Sequence, residues 1–302
     1  VLALSPLSTY NFRISSHNVF GNSPTSDGTT TATLYGVSTA PAQPVLSQTS
    51  GSTSVVLTWA APTSSNGDSV DSYSIQLLKK DASYITIDDK CDEYVNPNIP
   101  STATTCTITM AEIMTAGGYT ASDAGTYIQM KVLATNTFGP SDYSTTNANT
   151  VRIQSAPIAD VTTVTLAKTK NTITATWTTS PTAAADYGYA PITEYLYRYK
   201  AAADSWPADW TTATSVSATA PLTAILSVLT PQTAYNFQII AKNQFGNGPE
   251  TPTTTWNITT SDKPATMSAP VVNLEASGTT VNITFTQPAY YNNSITGYTI
   301  HF

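Results

Sequence analysis

Two landmarks alternate along the chain, and their spacing limits the folds that this sequence can adopt. The first is an alternating apolar–polar segment that ends in Asn-x-Phe-Gly, with its glycine at Gly21, Gly139 and Gly246. The second is an alternating segment that ends in an aromatic residue, at Trp59, Trp177 and Phe285, with a proline three or four residues later. From each glycine to the next aromatic the chain runs 38, 38 and 39 residues. This spacing predicts a repeated module of roughly 105 to 120 residues, the size of one β-sandwich.

The alternation within these segments is typical of strands that bury one face. A third alternating segment follows each aromatic landmark and is centred on a tyrosine, at Tyr73, Tyr195 and Tyr298. Charged residues make up only 10% of the chain, so the helix formers Glu, Lys and Arg are scarce. Short strands separated by turn signals therefore predict an all-β protein built from tandem antiparallel β-sandwiches.

Charge and hydropathy argue against nucleic-acid binding and against a membrane-spanning helix. The chain has a net charge of −7 with 12 Lys and Arg residues, which are scattered and form no basic stripe. A nucleic-acid partner is therefore not expected. No apolar run approaches the ~20 residues that a membrane-spanning helix needs, so no span is predicted in this segment.

The combined landmarks resemble the fibronectin type III family. The matching residues are the second-strand tryptophans Trp59 and Trp177, the third-strand tyrosines, and a Leu-x-Pro-x-Thr-x-Tyr corner. The corner runs from Leu229 to Tyr235, with a related version from Leu4 to Tyr10. The resemblance covers the whole chain and implies immunoglobulin-like sandwiches, with the Tyr10 and Tyr235 hydroxyls bonded to backbone upstream.

The module predicted at 42–154 departs from the family pattern. Tyr127 is one residue out of register, which leaves Ile128 at the corner position, and a longer central region holds Cys91 and Cys106. This spacing lacks a CxxC motif and a nearby histidine, so a disulfide is expected and a metal or redox site is not. A disulfide implies an oxidising compartment. The segments 106–113 and 136–141 also resemble modules of large surface proteins of ciliates and other single-celled eukaryotes.

Four segments follow from the landmarks, with proline-containing junctions between them. We predict the last strands (E to G) of one module at 1–41, complete modules at 42–154 and 155–261, and the first strands (A to C) of another at 262–302. Half a sandwich cannot bury its inner face. Either the sequence is a window on a longer polypeptide, which we favour, or neighbouring copies complete each other by strand exchange.

The sequence contains few residues in patterns typical of catalytic or metal-binding sites. The only histidines are His17 and His301, and the sequence has no nucleophile elbow, phosphate loop or zinc-protease motif. The acidic run 88–93 lacks the spacing of a calcium loop and is interpreted as a solvated loop. No enzyme activity, cofactor or metal is expected.

Three sequons mark candidate N-glycosylation sites, at Asn257, Asn282 and Asn292. Together with the expected disulfide they favour an extracellular or cell-surface glycoprotein.

The leading functional hypothesis is a structural spacer of a glycosylated surface coat, fibre or filament. Its partners would be neighbouring modules of the same polypeptide, further copies in a filament, and attached glycans. One alternative is an adhesin or receptor ectodomain that binds a protein or glycan through loops such as 66–69 and 290–293. Another is an accessory region of a secreted carbohydrate-active enzyme.

Overall fold

The computed structural model describes residues 4–27, 30–91, 99–219, 221–250 and 255–301. The chain divides into two compact units, Val1–Gln154 and Ser155–Phe302, and each is described by itself. The strands of the first unit are β1 Thr9–Phe12, β2 His17–Asn18, β3 Gly21–Asn22, β4 Thr30–Thr33, β5 Val45–Ser47, β6 Ser54–Thr58, β7 Ser72–Leu78, β8 Tyr84–Thr86, β9 Ile99–Pro100, β10 Thr105–Thr109, β11 Met130–Asn136 and β12 Gly139–Pro140. Helix α1 spans Met110–Gly117, and 3-10 turns cover Asp88–Lys90 and Ala121–Asp123.

In the described residues of the second unit, strands are the only regular secondary structure. These are β13 Val164–Lys168, β14 Ile173–Trp177, β15 Glu194–Ala201, β16 Thr214–Ser217, β17 Thr223–Leu226, β18 Ala234–Asn243, β19 Gly246–Asn247, β20 Trp256–Thr259, β21 Val271–Leu274 and β22 Val281–Thr284. Every strand pairing among the described residues is antiparallel. The predicted all-β antiparallel fold class is therefore confirmed.

The two central modules share one strand order. Between residues 42 and 154, one sheet runs β10-β6-β5 and the other β12-β11-β7-β8, with β9 also paired to β7. Between 155 and 261, one sheet runs β13-β14-β17 and the other β16-β15-β18-β19, with β20 also paired to β18. In both modules the second strand is central to the smaller sheet, and the third strand pairs with the long strand that carries the Asn-x-Phe-Gly turn.

The aromatic landmarks meet as one pair in each repeat. Ring centroids lie 5.5 Å apart for Trp59 and Tyr73, and 5.6 Å for Trp177 and Tyr195, both edge to face. Each of these tryptophans is only 6% exposed. In a third pair, the ring centroids of Phe285 and Tyr298 lie 4.9 Å apart. Phe285 is 39% exposed and Tyr298 is 45% exposed. Edge-to-face contact between two buried rings fixes how the second strand of one sheet faces the third strand of the other.

The core of the module at 155–261 is the apolar face of these alternating strands. Each member comes from a strand of one of the two sheets or from its flank, as the period-two pattern requires. The cluster contains Val161, Ile173, Ala175, Trp177, Tyr195, Ala224, Leu226, Leu229, Tyr235, Phe237, Ile239 and Ala241.

Two tyrosine corners have the hydrogen bond that the family resemblance implies. The Tyr235 hydroxyl accepts from the Thr230 amide at 3.0 Å, and the Tyr10 hydroxyl accepts from the Ser5 amide at 2.9 Å. The bond from Ser5 lowers the pKa of Tyr10 from its ordinary value. In the module at 42–154 a fully buried Ile128 replaces the corner. There Tyr127 instead hydrogen-bonds Arg152, whose guanidinium carbon lies 3.8 Å from the ring centroid.

We expect Tyr235→Phe to lower the free energy of unfolding of its module by about 1 kcal/mol, because the Thr230 amide loses its partner. Urea denaturation followed by tryptophan fluorescence measures the change. Tyr199→Phe is the matched control, since Tyr199 is 42% exposed and its hydroxyl bonds none of the described residues. Equal costs for the two variants would contradict the role assigned to the corner.

A side-chain ladder replaces a regular last strand in the module at 42–154. The side chains of Ser141, Ser144 and Asn147 accept from the amides of Ala134, Val132 and Met130 at 3.1, 3.0 and 2.6 Å. The amides of the same three residues donate back to the carbonyls of those β11 residues at 2.8, 2.8 and 3.0 Å. Each polar residue thus satisfies two backbone groups of β11, and the ladder advances by three residues.

The cysteines form the disulfide that closes the longer central region. Their Sγ atoms lie 2.02 Å apart and their Cα atoms 5.0 Å apart. Cys106 lies on β10 of the smaller sheet, and Cys91 follows the 3-10 turn after β8 of the larger sheet. The disulfide therefore connects elements from both sheets, and both cysteines are buried.

The solvated-loop interpretation of the acidic run was wrong for Asp88. Asp88 is 9% exposed, and its Oδ1 accepts from the Ile75 amide at 2.6 Å, while burial raises the pKa of its carboxyl. The carboxylate lies inside because it satisfies a backbone group of β7. Asp89 is exposed and pairs with Lys90, whereas Asp92 and Glu93 lie outside the described residues.

Candidate functional site: the module junctions

The sequence-predicted candidates for chemistry were compared with the described ranges. Within them, no group of three or more His, Cys, Asp or Glu residues could hold a metal ion. His17 and His301 are both exposed. Nor does any helix in this part of the chain have the length and apolar character that a membrane span requires. The geometry that recurs lies at the junctions, where the chain enters each module.

The first junction joins the linker at 36–39 to the loop between the second and third strands, at 64–68. The Gly36 amide donates to the Asn66 carbonyl at 3.1 Å, and the Thr39 amide donates to the Ser64 carbonyl at 2.9 Å. The Asn66 side chain returns a bond to the Val37 carbonyl at 2.7 Å. This segment is therefore fixed to the following module by backbone and side-chain bonds.

The second junction repeats this pattern in the second unit. The Ser155 amide donates to the Gly188 carbonyl at 3.0 Å, and the Ile158 amide donates to the Asp186 carbonyl at 2.8 Å. Gly188 has φ +69 and lies so close to the linker that an added Cβ would come within 2.2 Å of the Ser155 carbonyl oxygen. The close approach requires glycine here.

The third junction has the same two backbone bonds. The Asp262 amide donates to the Tyr291 carbonyl at 3.4 Å, and the Ala265 amide donates to the Ala289 carbonyl at 2.9 Å. Asp262 also forms an ion pair with Lys170 at 3.0 Å. The hydrogen bond from Lys170 is the main cause that lowers the pKa of this carboxyl to about 2.

One rule describes all three junctions. A linker residue donates to a loop carbonyl, and the residue three positions later donates to the carbonyl two positions earlier in the loop. We call this pair of backbone bonds the junction ladder. Because the bonds use only backbone groups, the ladder forms with three different linker and loop sequences.

At the first two junctions, the asparagine side chain of the Asn-x-Phe-Gly turn also contacts the linker. The Asn136 Nδ2 donates to the Gly36 carbonyl at 2.9 Å and to the Ser65 carbonyl at 3.2 Å. The Asn243 Nδ2 lies 2.9 Å from the Ser155 carbonyl oxygen and also contacts the carbonyls of Tyr187 and Ala190. These turn asparagines are 3% and 1% exposed. Each therefore ties the linker and the adjacent loop to the long strand of its own module.

The other end of each asparagine side chain shapes the turn itself. The Oδ1 atoms of Asn18, Asn136 and Asn243 accept from the amide two residues later, at 2.9, 3.1 and 2.9 Å. The turn glycines Gly21, Gly139 and Gly246 have φ values of +133, +126 and +134, a region that favours glycine. A single asparagine thus sets the turn with its oxygen and, at two junctions, holds the linker with its nitrogen.

The remaining sequence-predicted residues are spread over the surface. Asn257 lies on β20, where its Nδ2 donates to Asn236 Oδ1 at 2.7 Å. Asn282 is exposed on β22, and Asn292 is exposed in the loop of the third junction. The loop residue Asn66 lies at the first junction, against the linker.

Sequence reasoning missed the junction ladder and the linker contacts of the turn asparagines. It used the Asn-x-Phe-Gly turns only as landmarks of the repeat. The signal was present, because asparagine occupies the same turn position in all three copies.

The strand order, the paired aromatics and the junctions define a class: tandem immunoglobulin-like β-sandwich modules. The family model described as "Fibronectin type III domain" matches residues 156–256. This segment is a fibronectin type III domain. The segment 42–154 has the same strand order and the same kind of aromatic pair.

Two solved structures illustrate the likeness. The chicken CNTN1 FN1-FN3 domains are 21% identical, with a TM-score of 0.33 over 85% of this chain and 79% of that one. A two-domain fibronectin type III segment of chicken tenascin is 17% identical, with a TM-score of 0.30 over 73% of this chain and 99% of that one. A comparison with curated proteins gave no match.

Proposed function

We propose that this chain is a non-catalytic spacer from an extracellular or cell-surface protein, in which fibronectin type III modules set distance and stiffness. The observation that carries the proposal is the junction ladder, which recurs at three linkers of different sequence. In a linear array each module contacts chiefly its neighbours, so linkers that are bonded to the following module would reduce bending at the junctions. The disulfide fits an oxidising compartment.

The finer form of the proposal is a glycosylated surface coat, fibre or filament. Its partners would be neighbouring modules, further copies of the chain and attached glycans. The adhesin alternative needs free loops between the second and third strands, yet Asn66 and Tyr291 of these loops bond to the linkers. This use of the loops favours the spacer over the adhesin.

Small-angle X-ray scattering and negative-stain electron microscopy of the full chain test the proposal. We expect wild type to show a narrow distribution of shapes, and Asn136→Ala combined with Asn243→Ala to show a broad one. Asn273→Ala is the control, because Asn273 is exposed on β21 and its side chain bonds none of the described residues. Near-ultraviolet circular dichroism checks that each variant is folded. A wild-type chain as variable in shape as the double variant would contradict the spacer function.

A further inference from the structure

A polar groove lies beside the third junction. Its volume is about 650 Å³, and its walls come from residues 168–170, 261–264 and 292–297. The first wall is the end of β13 with the turn that follows it, the second is the linker, and the third is the loop that carries the junction ladder. All three belong to the second unit.

Asn292 lies in this wall and begins the sequon Asn292-Asn293-Ser294. It has φ +62, which asparagine tolerates better than most residues, and it is exposed. Its side chain forms no hydrogen bond with the residues that the structure describes. Asn257, in contrast, uses its Nδ2 to bond Asn236 across the strand pair.

The groove has the chemistry of a sugar site. The amines of Lys168, Lys170 and Lys263 donate hydrogen bonds, while the Thr169 hydroxyl and the Asn293 amide both donate and accept. Sugar hydroxyls also donate and accept, so a saccharide can satisfy these groups. Lys170 already pairs with Asp262, and the Thr169 hydroxyl already bonds Thr172, so a saccharide would add hydrogen bonds to groups that are held in place.

We propose that Asn292 is N-glycosylated and that the first sugars of its glycan occupy this groove, packed against Lys170 and the linker. The inference rests on the proposed function, which requires a secretory environment, and deepens it by naming a second device that stiffens the third junction. A glycan on Asn292 would have a groove to occupy, whereas glycans on the other two sequons would not. Asn257 and Asn282 lie on strands and are not among the residues that line the groove.

The modification is a group transfer from an oligosaccharide carried on a lipid diphosphate. The Asn292 Nδ2 forms a bond to C1 of the first sugar as the bond from C1 to the diphosphate oxygen breaks. The amide loses one proton to the enzyme base, and the lipid diphosphate leaves. No atom changes its oxidation state overall.

The test uses the full chain secreted from a eukaryotic host. Glycopeptide mass spectrometry measures occupancy at the three sequons, and amine acetylation measures the reactivity of Lys168 and Lys170. We expect a glycan on Asn292 and severalfold slower acetylation of these lysines than in Ser294→Ala, which keeps Asn292 but removes the sequon. Asn282→Gln is the matched control and is expected to leave lysine reactivity at the wild-type level.

Two results would overturn the inference: an unmodified Asn292, or a modified Asn292 with lysines as reactive as in Ser294→Ala. The spacer function fails separately. It fails if the chain has variable shapes even when Asn292 is glycosylated and the lysines are protected. If Ser294→Ala keeps a narrow shape distribution while the wild-type lysines are unprotected, the spacer stands and the glycan inference falls.

Discussion

Replacing Gly188 with alanine is expected to displace Ser155 from the second junction and to destabilise the module at 155–261 by about 3 kcal/mol. Two effects add at this position. A non-glycine residue at positive φ costs about 1 kcal/mol, and the new Cβ would lie 2.2 Å from a backbone oxygen that cannot rotate away. The loop or the linker must therefore move, which breaks the bond from the Ser155 amide to the Gly188 carbonyl.

Gly118→Ala separates the two effects. Gly118 has the same φ of +69, but nothing lies within 4 Å of its added Cβ, so only the backbone strain remains. Chemical denaturation measures both variants. The module at 155–261 can be followed through Trp177, Trp206, Trp210 and Trp256, and the module at 42–154 through Trp59. Similar losses for the two variants would mean that the close approach of the linker contributes nothing.

Removing the disulfide, by Cys91→Ala with Cys106→Ala, is expected to cost the module at 42–154 about 3 kcal/mol. The cysteines are 15 residues apart, so the reduced chain gains loop entropy on unfolding. Alanine is preferred to serine because both positions are buried, and a hydroxyl there would lack a partner.

Differential scanning calorimetry shows the effect as a lower transition temperature for that module alone. The module at 155–261 has no cysteine and supplies an internal control within the same molecule. Reduction of the wild-type chain should reproduce the shift. An unchanged first transition, or an equal shift of both transitions, would rule out a local role for the disulfide.

The fold was largely predictable because its landmarks are local. In a strand with period-two alternation, the apolar residues identify the buried face, and Trp59 or Trp177 marks the end of that face in the second strand. The Leu-x-Pro-x-Thr-x-Tyr corner is also local, since the Tyr235 hydroxyl bonds an amide only five residues upstream. The boundaries 1–41, 42–154, 155–261 and 262–302 stay predictions.

The partners at the junctions were not predictable because they are distant in the sequence, and at least one group in each contact belongs to the backbone. Asn136 and Gly36 are 100 positions apart, and Asn243 and Ser155 are 88 apart. A backbone ladder leaves no trace in side-chain identity. Asp88 was misjudged for the same reason, because its partner is the amide of Ile75 on another strand.

The sequence analysis did not predict the side-chain ladder because its period fits neither a helix nor a strand. Ser141, Ser144 and Asn147 recur every three residues, whereas the usual patterns repeat at 2 or about 3.6. A search for polar residues at period three next to an Asn-x-Phe-Gly turn would find this segment. It would also find Ser23 and Ser26, whose hydroxyls accept from the amides of Ser16 and Ile14.

Amide hydrogen exchange by nuclear magnetic resonance tests the junction ladder most directly, at the Gly36 and Ser155 amides. Each donates to a loop carbonyl, at 3.1 and 3.0 Å. We predict that both exchange as slowly as amides inside the neighbouring strands, and that Gly188→Ala accelerates exchange at Ser155 alone. Exchange of both amides at the rate of an unstructured peptide in the wild-type chain would contradict the account.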